Sequence, residues 1–263
     1  MDSREFAGKV VVVSGASRGI GFAIAEAFAR RGADTAIAAA SAANLAAAAD
    51  RIAATGATRP LVVAADLRTQ EGCAQVHAEV ARRLGRCDVL ATSAGATKAG
   101  AFLQQPDEQW QDGFALKFYS CVRLCRLFWP MLRESGGAVV NIIGGAARTP
   151  DPEFLVGGAV NAAVANFTKG LSGLGKRDGV RVNAILPGLT ETERVHQLFA
   201  QRAAATGLAA EEVRAQAIAK EGLRRLGPPA DVAALAVFLA GAGAAHVQGT
   251  SIAVDGGGTP GVY

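Results

Sequence analysis

The chain has 263 residues, enough for one large α/β domain and short for two. Half of them are hydrophobic and 19% are charged, which excludes a disordered chain and supplies apolar material for a sheet covered on both faces. The net charge of +4 arises from 27 Lys and Arg interleaved with 23 Asp and Glu, with no basic run broken by aromatics; this argues against a nucleic-acid partner and weakly for anionic small molecules.

The first apolar run, Val10 to Val13, is far short of the ~20 residues that cross a bilayer, and no leader precedes it, so no membrane partner is expected. Strand-like runs at 9–13, 35–39, 61–65, 88–92, 138–143, 180–186 and 250–254 alternate with Ala-rich stretches of helical period at 20–31, 43–55, 70–84, 113–133 and 154–176. Strands buried on both faces read as continuous Val, Ile, Leu and Ala rather than as alternating apolar and polar residues. The pattern therefore predicts an α/β fold: a single doubly wound domain over 1–263, with a seven-stranded parallel sheet and helices on both faces. A more charged stretch at 188–227, between the sixth and seventh strands, breaks this rhythm. Its place beyond the carboxyl ends of the strands makes it a candidate substrate lid.

Cys73, Cys87, Cys121 and Cys125 have no metal-ligand spacing, so reduced thiols in a cytoplasmic protein and no metal are expected. Cys121 and Cys125, one helical turn apart, read as small residues on a buried helix face. The segment Ser14-Gly15-Ala16-Ser17-Arg18-Gly19-Ile20-Gly21 lies between a Val-rich strand and a helix. Its glycines let the backbone turn tightly and approach a pyrophosphate, whose charge meets the positive end of the helix.

This GxxxGxG turn is joined by Asp66 after the third strand, Ala94-Gly95 after the fourth, Arg181-Val182-Asn183-Ala184 leading to Pro187-Gly188, and Val254-Asp255-Gly256-Gly257. Together these motifs resemble the short-chain dehydrogenase/reductase family over nearly the whole chain. The resemblance implies a Rossmann-type fold, a nicotinamide dinucleotide, a small-molecule substrate and a homodimer or homotetramer. It places the cofactor on Gly15, Ser17, Arg18, Gly19, Ile20, Gly21, Ser41, Asp66, Leu67, Ser93, Ala94, Gly95, Pro187, Gly188 and Thr192. Asp66 would bond the adenine, and Thr192 would help position the nicotinamide. Where that family keeps Asn-Asn-Ala-Gly, the chain has Thr92-Ser93-Ala94-Gly95, whose hydroxyls can still bond locally. The second strand ends Ala38-Ala39-Ala40-Ser41 without an acid to grip a ribose 2′-hydroxyl. With Arg18 and Ser41 set to meet a 2′-phosphate, NADP(H) is preferred and NAD(H) remains possible.

The catalytic half departs from the resemblance. Seven residues after Trp110 the family's Asn slot holds Lys117, and three after Asn141 its Ser slot holds Gly144. The Tyr and Lys slots hold Gly157 and Asn161, and the only tyrosines are Tyr119 and Tyr263. Glycine supplies neither a proton nor a hydrogen bond, so the usual carbonyl-reductase mechanism is not expected. Two readings stay open. In one, Lys117 and Asn161 have exchanged roles in a working oxidoreductase, with Tyr119, His196, Asp151 or Glu153 as proton source and a carbonyl or enoyl substrate. In the other, the protein binds cofactor, lacks turnover and acts by association through helices 113–133 and 154–176. The pairs Gly144-Gly145 and Gly157-Gly158 are expected to widen the cleft for a bulky substrate.

Overall fold

A β-strand sends successive side chains to opposite faces, and the first strand divides the core accordingly. Val11 and Val13 belong to one buried cluster, Val10 and Val12 to the other. The computed structural model describes residues 4–260, so Tyr263 lies outside the described residues. Its strands are β1 (Val10–Ser14), β2 (Asp34–Ala39), β3 (Leu61–Ala64), β4 (Val89–Thr92), β5 (Ala138–Ile142), β6 (Arg181–Pro187) and β7 (Ser251–Val254). Each lies within one residue of its expected bounds. All pair in parallel, in the order β3-β2-β1-β4-β5-β6-β7. The doubly wound, seven-stranded sheet expected from the sequence is the sheet observed.

Helices α1 (Gly19–Ala29), α2 (Ala42–Ala53) and α3 (Gln70–Leu84) follow the first three strands. Phe22, Ile24 and Phe28 of α1 and Leu45 and Ile52 of α2 pack on one face of the sheet, whereas Val76 and Val80 of α3 pack on the other. Between β4 and β5 run α4 (Asp107–Gly113), a π-helical stretch at Phe114–Tyr119, and α5 (Ser120–Ser135). The expected single helix at 113–133 therefore starts earlier and changes register through a wide π turn, a rare form that recurs at functional sites. Phe118 in that turn packs edge-on against Phe114, Tyr119 and Phe167.

Helix α6 (Leu155–Asp178) follows β5, and α7 (Glu193–Thr206), α8 (Ala210–Lys220) and α9 (Pro229–Ala240) lie between β6 and β7. Helices α7 and α8 make up most of the charged excursion and bury a core of their own, Phe199, Val213 and Leu226. The excursion's base is pinched shut by Glu191 N donating to Gly227 O (2.8 Å) and Gly227 N donating to Leu189 O (3.0 Å). No helix among the described residues is long and apolar enough to cross a membrane.

Candidate active site

Strands β1 and β4 are neighbours from which the chain departs toward opposite edges, β1 to β2 and β4 to β5. Beyond the carboxyl ends of such a pair a crevice opens, and the glycine turn and the Thr92–Gly95 segment line it. Gly15, at φ +68°, lies against the second wall: a Cβ there would stand 2.7 Å from the N and Cα of Ala94. Ser14 Oγ accepts from Ser93 N (3.2 Å) and Ala94 N (3.3 Å), tying the two walls together. Helix α1 then starts at Gly19 with no side-chain cap and no acid in its first turn. Its uncompensated positive end suits a pyrophosphate, so the cradle fits the dinucleotide implied by the sequence.

The remaining expected cofactor residues surround this crevice. Ser41 caps α2, its Oγ accepting from Asn44 N at 3.3 Å. Asp66 Oδ1 accepts from Arg68 N at 3.0 Å and from Arg68 Nη1 at 3.4 Å, while Leu67 is buried beside it. Gly188 follows β6 so closely that a Cβ would stand 2.7 Å from that of Asp255. Thr192 caps α7, accepting from Val195 N, and its methyl faces Gly19. Thr92 does bond locally: its hydroxyl donates to Asn141 Oδ1 (2.7 Å), and Asn141 Nδ2 donates to Thr168 Oγ1 (2.8 Å). This chain of buried polar groups fixes β4, β5 and α6 in register beneath the crevice.

Lys117 and Asn161 converge on consecutive residues. Projecting from the π turn, Lys117 lays its stem across Gly95, where a Cβ would stand 3.0 Å from its Cδ, and its ammonium donates to the Ile143 carbonyl. Burial, followed by the nearby Arg194 guanidinium, lowers the ammonium's pKa to about 8 against an opposing pull from Cys121. Asn161 is 5% exposed and leans on Gly144, whose Cβ would meet its Nδ2 at 3.1 Å. Its Oδ1 is buried with no donor. An orphaned buried acceptor of this kind marks a place where a ligand hydroxyl would be held.

The cleft is not widened as expected. Phe154, the residue before α6, places its ring where a side chain at Gly157 would begin, and Asn161 fills the space beside Gly144. Of the four glycines in these pairs, only Gly145 and Gly158 would have a Cβ with no neighbour closer than 3.5 Å. Among the described residues, none of the alternative proton sources hydrogen-bonds Lys117, whose ammonium donates to Ile143 O. Tyr119 is 49% exposed under the Arg123 guanidinium, His196 is exposed 4.0 Å from Glu191, and Asp151 Oδ1 accepts from Glu153 N. The four cysteines are buried and unbridged.

Two residues escaped the sequence reading. Phe154 is three positions before Gly157, a spacing that stacks side chains on a helix and was the available signal. Arg194, two residues after Thr192, crosses from α7 to donate to Gly95 O (3.2 Å) and Thr97 O (2.6 Å). No local pattern announces that contact. Beside it Arg18, expected to face a 2′-phosphate, instead pairs with Glu193 at 3.2 Å.

Comparison with known proteins agrees with this architecture. A family model described as enoyl-(acyl carrier protein) reductase matches residues 15–259. An uncharacterised oxidoreductase of Mycobacterium tuberculosis is 36% identical over 251 residues, 95% of this chain and 91% of the relative. The 3-oxoacyl-[acyl-carrier-protein] reductase FabG of Escherichia coli is 31% identical over 256 residues, 96% and 98% of the two chains. L-Sorbose reductase from Gluconobacter frateurii, solved with NADPH and L-sorbose, superposes with a TM-score of 0.94 at 31% identity, covering all of both chains. With its glycine cradle at the β1/β4 crevice and these matches along its length, the chain belongs to the short-chain dehydrogenase/reductase family.

Proposed function

We propose that the protein is an NADP(H)-dependent oxidoreductase acting on a carbonyl or enoyl substrate, with proton handling rebuilt around Lys117. The observation that carries this reading is the placement of Lys117. Its stem lies on Gly95 of the cofactor crevice, and its head, brought down to about 8, is held one residue from Gly144. A general acid works best with a pKa near the ambient pH, and an unperturbed lysine lies too high. NADPH, when bound, supplies the hydride. The chain's own residues do the rest: the glycine turn and α1 hold the phosphates, Arg18 and Ser41 face the 2′-phosphate, and Asp66 faces the adenine. Asn161 Oδ1 accepts from a hydroxyl, and Lys117 Nζ gives a proton to the developing oxyanion.

In this reading the catalytic Asn, Ser, Tyr and Lys of the family are absent, and 188–227 is a lid on a single-domain, cytoplasmic homo-oligomer. Bulk in the substrate is no part of it, because Phe154 and Asn161 occupy the room that the glycines would have opened. NADPH in the L-sorbose reductase structure and the reductase relatives support the cofactor and reaction class. A second reading, a cofactor-binding protein without turnover, draws on Phe154, whose ring closes the place of the family's Tyr. The two are separated by following NADPH absorbance with ketones, conjugated enones and enoyl thioesters. Turnover that disappears in Lys117→Met supports the first reading, whereas tight NADPH binding with no turnover on any class supports the second.

A further inference from the structure

Two cations without a carboxylate meet at one glycine. Among the described residues, neither Lys117 nor Arg194 takes part in an ion pair, although most arginines that bind a side chain bind an acid. Their heads rest instead on backbone carbonyls: Lys117 on Ile143 O, Arg194 on Gly95 O and Thr97 O. Arg194 bonds Gly95 itself, and the Lys117 stem crosses the same glycine, whose missing Cβ makes room for it, on its way to Ile143. Each head keeps N–H donors that these carbonyls do not use. Lys117 is half-buried and Arg194 is exposed, so an anion arriving from solvent can use the free donors of both, and the protein itself places no carboxylate on either head.

We propose that Lys117 and Arg194 form one anion site across Gly95, completed by α7 and filled by paired anionic oxygens of a ligand. The ligand oxygens come from the pyrophosphate of the dinucleotide or from a carboxylate of the substrate. Either source replaces neutral carbonyls by a charged acceptor, and a planar guanidinium grips two such oxygens at once. Because Arg194 belongs to α7, filling the site ties the excursion to the β4 wall, while Thr192 and Glu193 already touch the glycine turn. This site rests on the oxidoreductase reading only in its first source; the carboxylate source stands without it.

The test is calorimetric and uses the whole chain, with native protein, Arg194→Gln, Arg194→Lys and Lys117→Met compared after their melting temperatures are matched. The probes are NADPH, adenosine 2′-monophosphate, inorganic pyrophosphate, and acetate, pyruvate and succinate in the presence of NADP+. If the pyrophosphate is the ligand, Arg194→Gln and Lys117→Met each weaken NADPH by roughly tenfold or more while adenosine 2′-monophosphate is unaffected. If a carboxylate is the ligand, NADPH is unaffected, and carboxylate binding to native protein is lost in both variants. In either case Arg194→Lys recovers part of the loss. Equal binding of every probe by native protein and variants overturns the site and leaves the oxidoreductase reading untouched. Native protein that fails to bind NADPH defeats that reading alone, provided pyrophosphate or a carboxylate still binds and depends on Arg194. Failure of every anion defeats both.

Discussion

The Phe154 ring occupies the space in which a side chain at Gly157 would begin: a Cβ there would lie 2.6 Å from ring atom Cδ1 and nearer still to Cε1 and Cζ. In a helix interior Ala is more favourable than Gly by ~1 kcal/mol, but forcing an atom into filled space costs ~1 to 3 kcal/mol. The second effect wins in the native background. Gly157→Ala is therefore expected to destabilise the protein, and the same change in a Phe154→Ala background to stabilise it. Denaturant unfolding of the four members of this cycle reads the change of sign. Equal, additive effects in both backgrounds would show that the ring yields freely.

In the proposed reading, where the family's catalytic set is absent, the same contact governs its reconstruction. Lys117→Asn, Gly144→Ser, Gly157→Tyr and Asn161→Lys, combined while Phe154 remains, place a tyrosine against a ring already there. Adding Phe154→Ala to the four is expected to yield measurable NADPH-dependent reduction of simple ketones where the fourfold variant shows none. The single changes do little, because such residues act as a unit. Gly144 sets a ceiling on the gain: its φ of +147° is one that a serine adopts only with strain. A folded fivefold variant that binds NADPH yet reduces no ketone would indicate that the cleft differs by more than these side chains.

The sheet was legible because strands covered on both faces leave long apolar runs, such as Val10 to Val13, in which every residue is buried. The glycine turn was legible for a related reason: Gly15 and the Ala94 backbone need each other's lack of bulk. Phe154 was not, since a glycine in a sequence looks like space until a neighbour is seen to fill it. Arg194 lies 99 residues from Gly95, so only the folded excursion brings them together. The π turn sets Phe118 edge-on against Phe167 of another helix, a contact that periodicity along one segment does not record.

Lys117 carries a stability signature as well. Its folded-state pKa, about 8, is below the ordinary 10.5, because burial and Arg194 penalise the charged form. The unfolded chain therefore holds this proton up to higher pH than the folded one. Between pH 8 and 10.5 the unfolded state binds more protons, so this group makes stability rise with pH across that window. Below pH 8 the full penalty is present, up to ~3 kcal/mol at ~1.4 kcal/mol per unit. Lys117→Met removes it, so the variant's stability relative to the native protein is expected to be highest at pH 7 and to decline steadily toward pH 10.5. Paired urea titrations at several pH values measure this. A difference that is flat with pH would place the ammonium in water.

In the proposed reading the choice of cofactor depends on Arg18, which in the structure pairs with Glu193 at 3.2 Å. Both partners are largely exposed, at 54% and 68%, and such a pair contributes only ~0 to 1 kcal/mol. A hydrogen bond from a guanidinium to a phosphate contributes ~1.5 to 3 kcal/mol, so a 2′-phosphate wins the competition for Arg18. Arg18→Ala is then expected to weaken NADPH by about tenfold or more and to change NADH little. Glu193→Gln releases Arg18 before the cofactor arrives and should tighten NADPH by no more than about fivefold, again with little effect on NADH. Both effects should shrink with added salt, since the groups are exposed. Calorimetric titrations of both nucleotides at low and high ionic strength decide the matter. An NADH preference in the native protein that survives Arg18→Ala would remove Arg18 from the cofactor site and leave its pair with Glu193 as a surface contact.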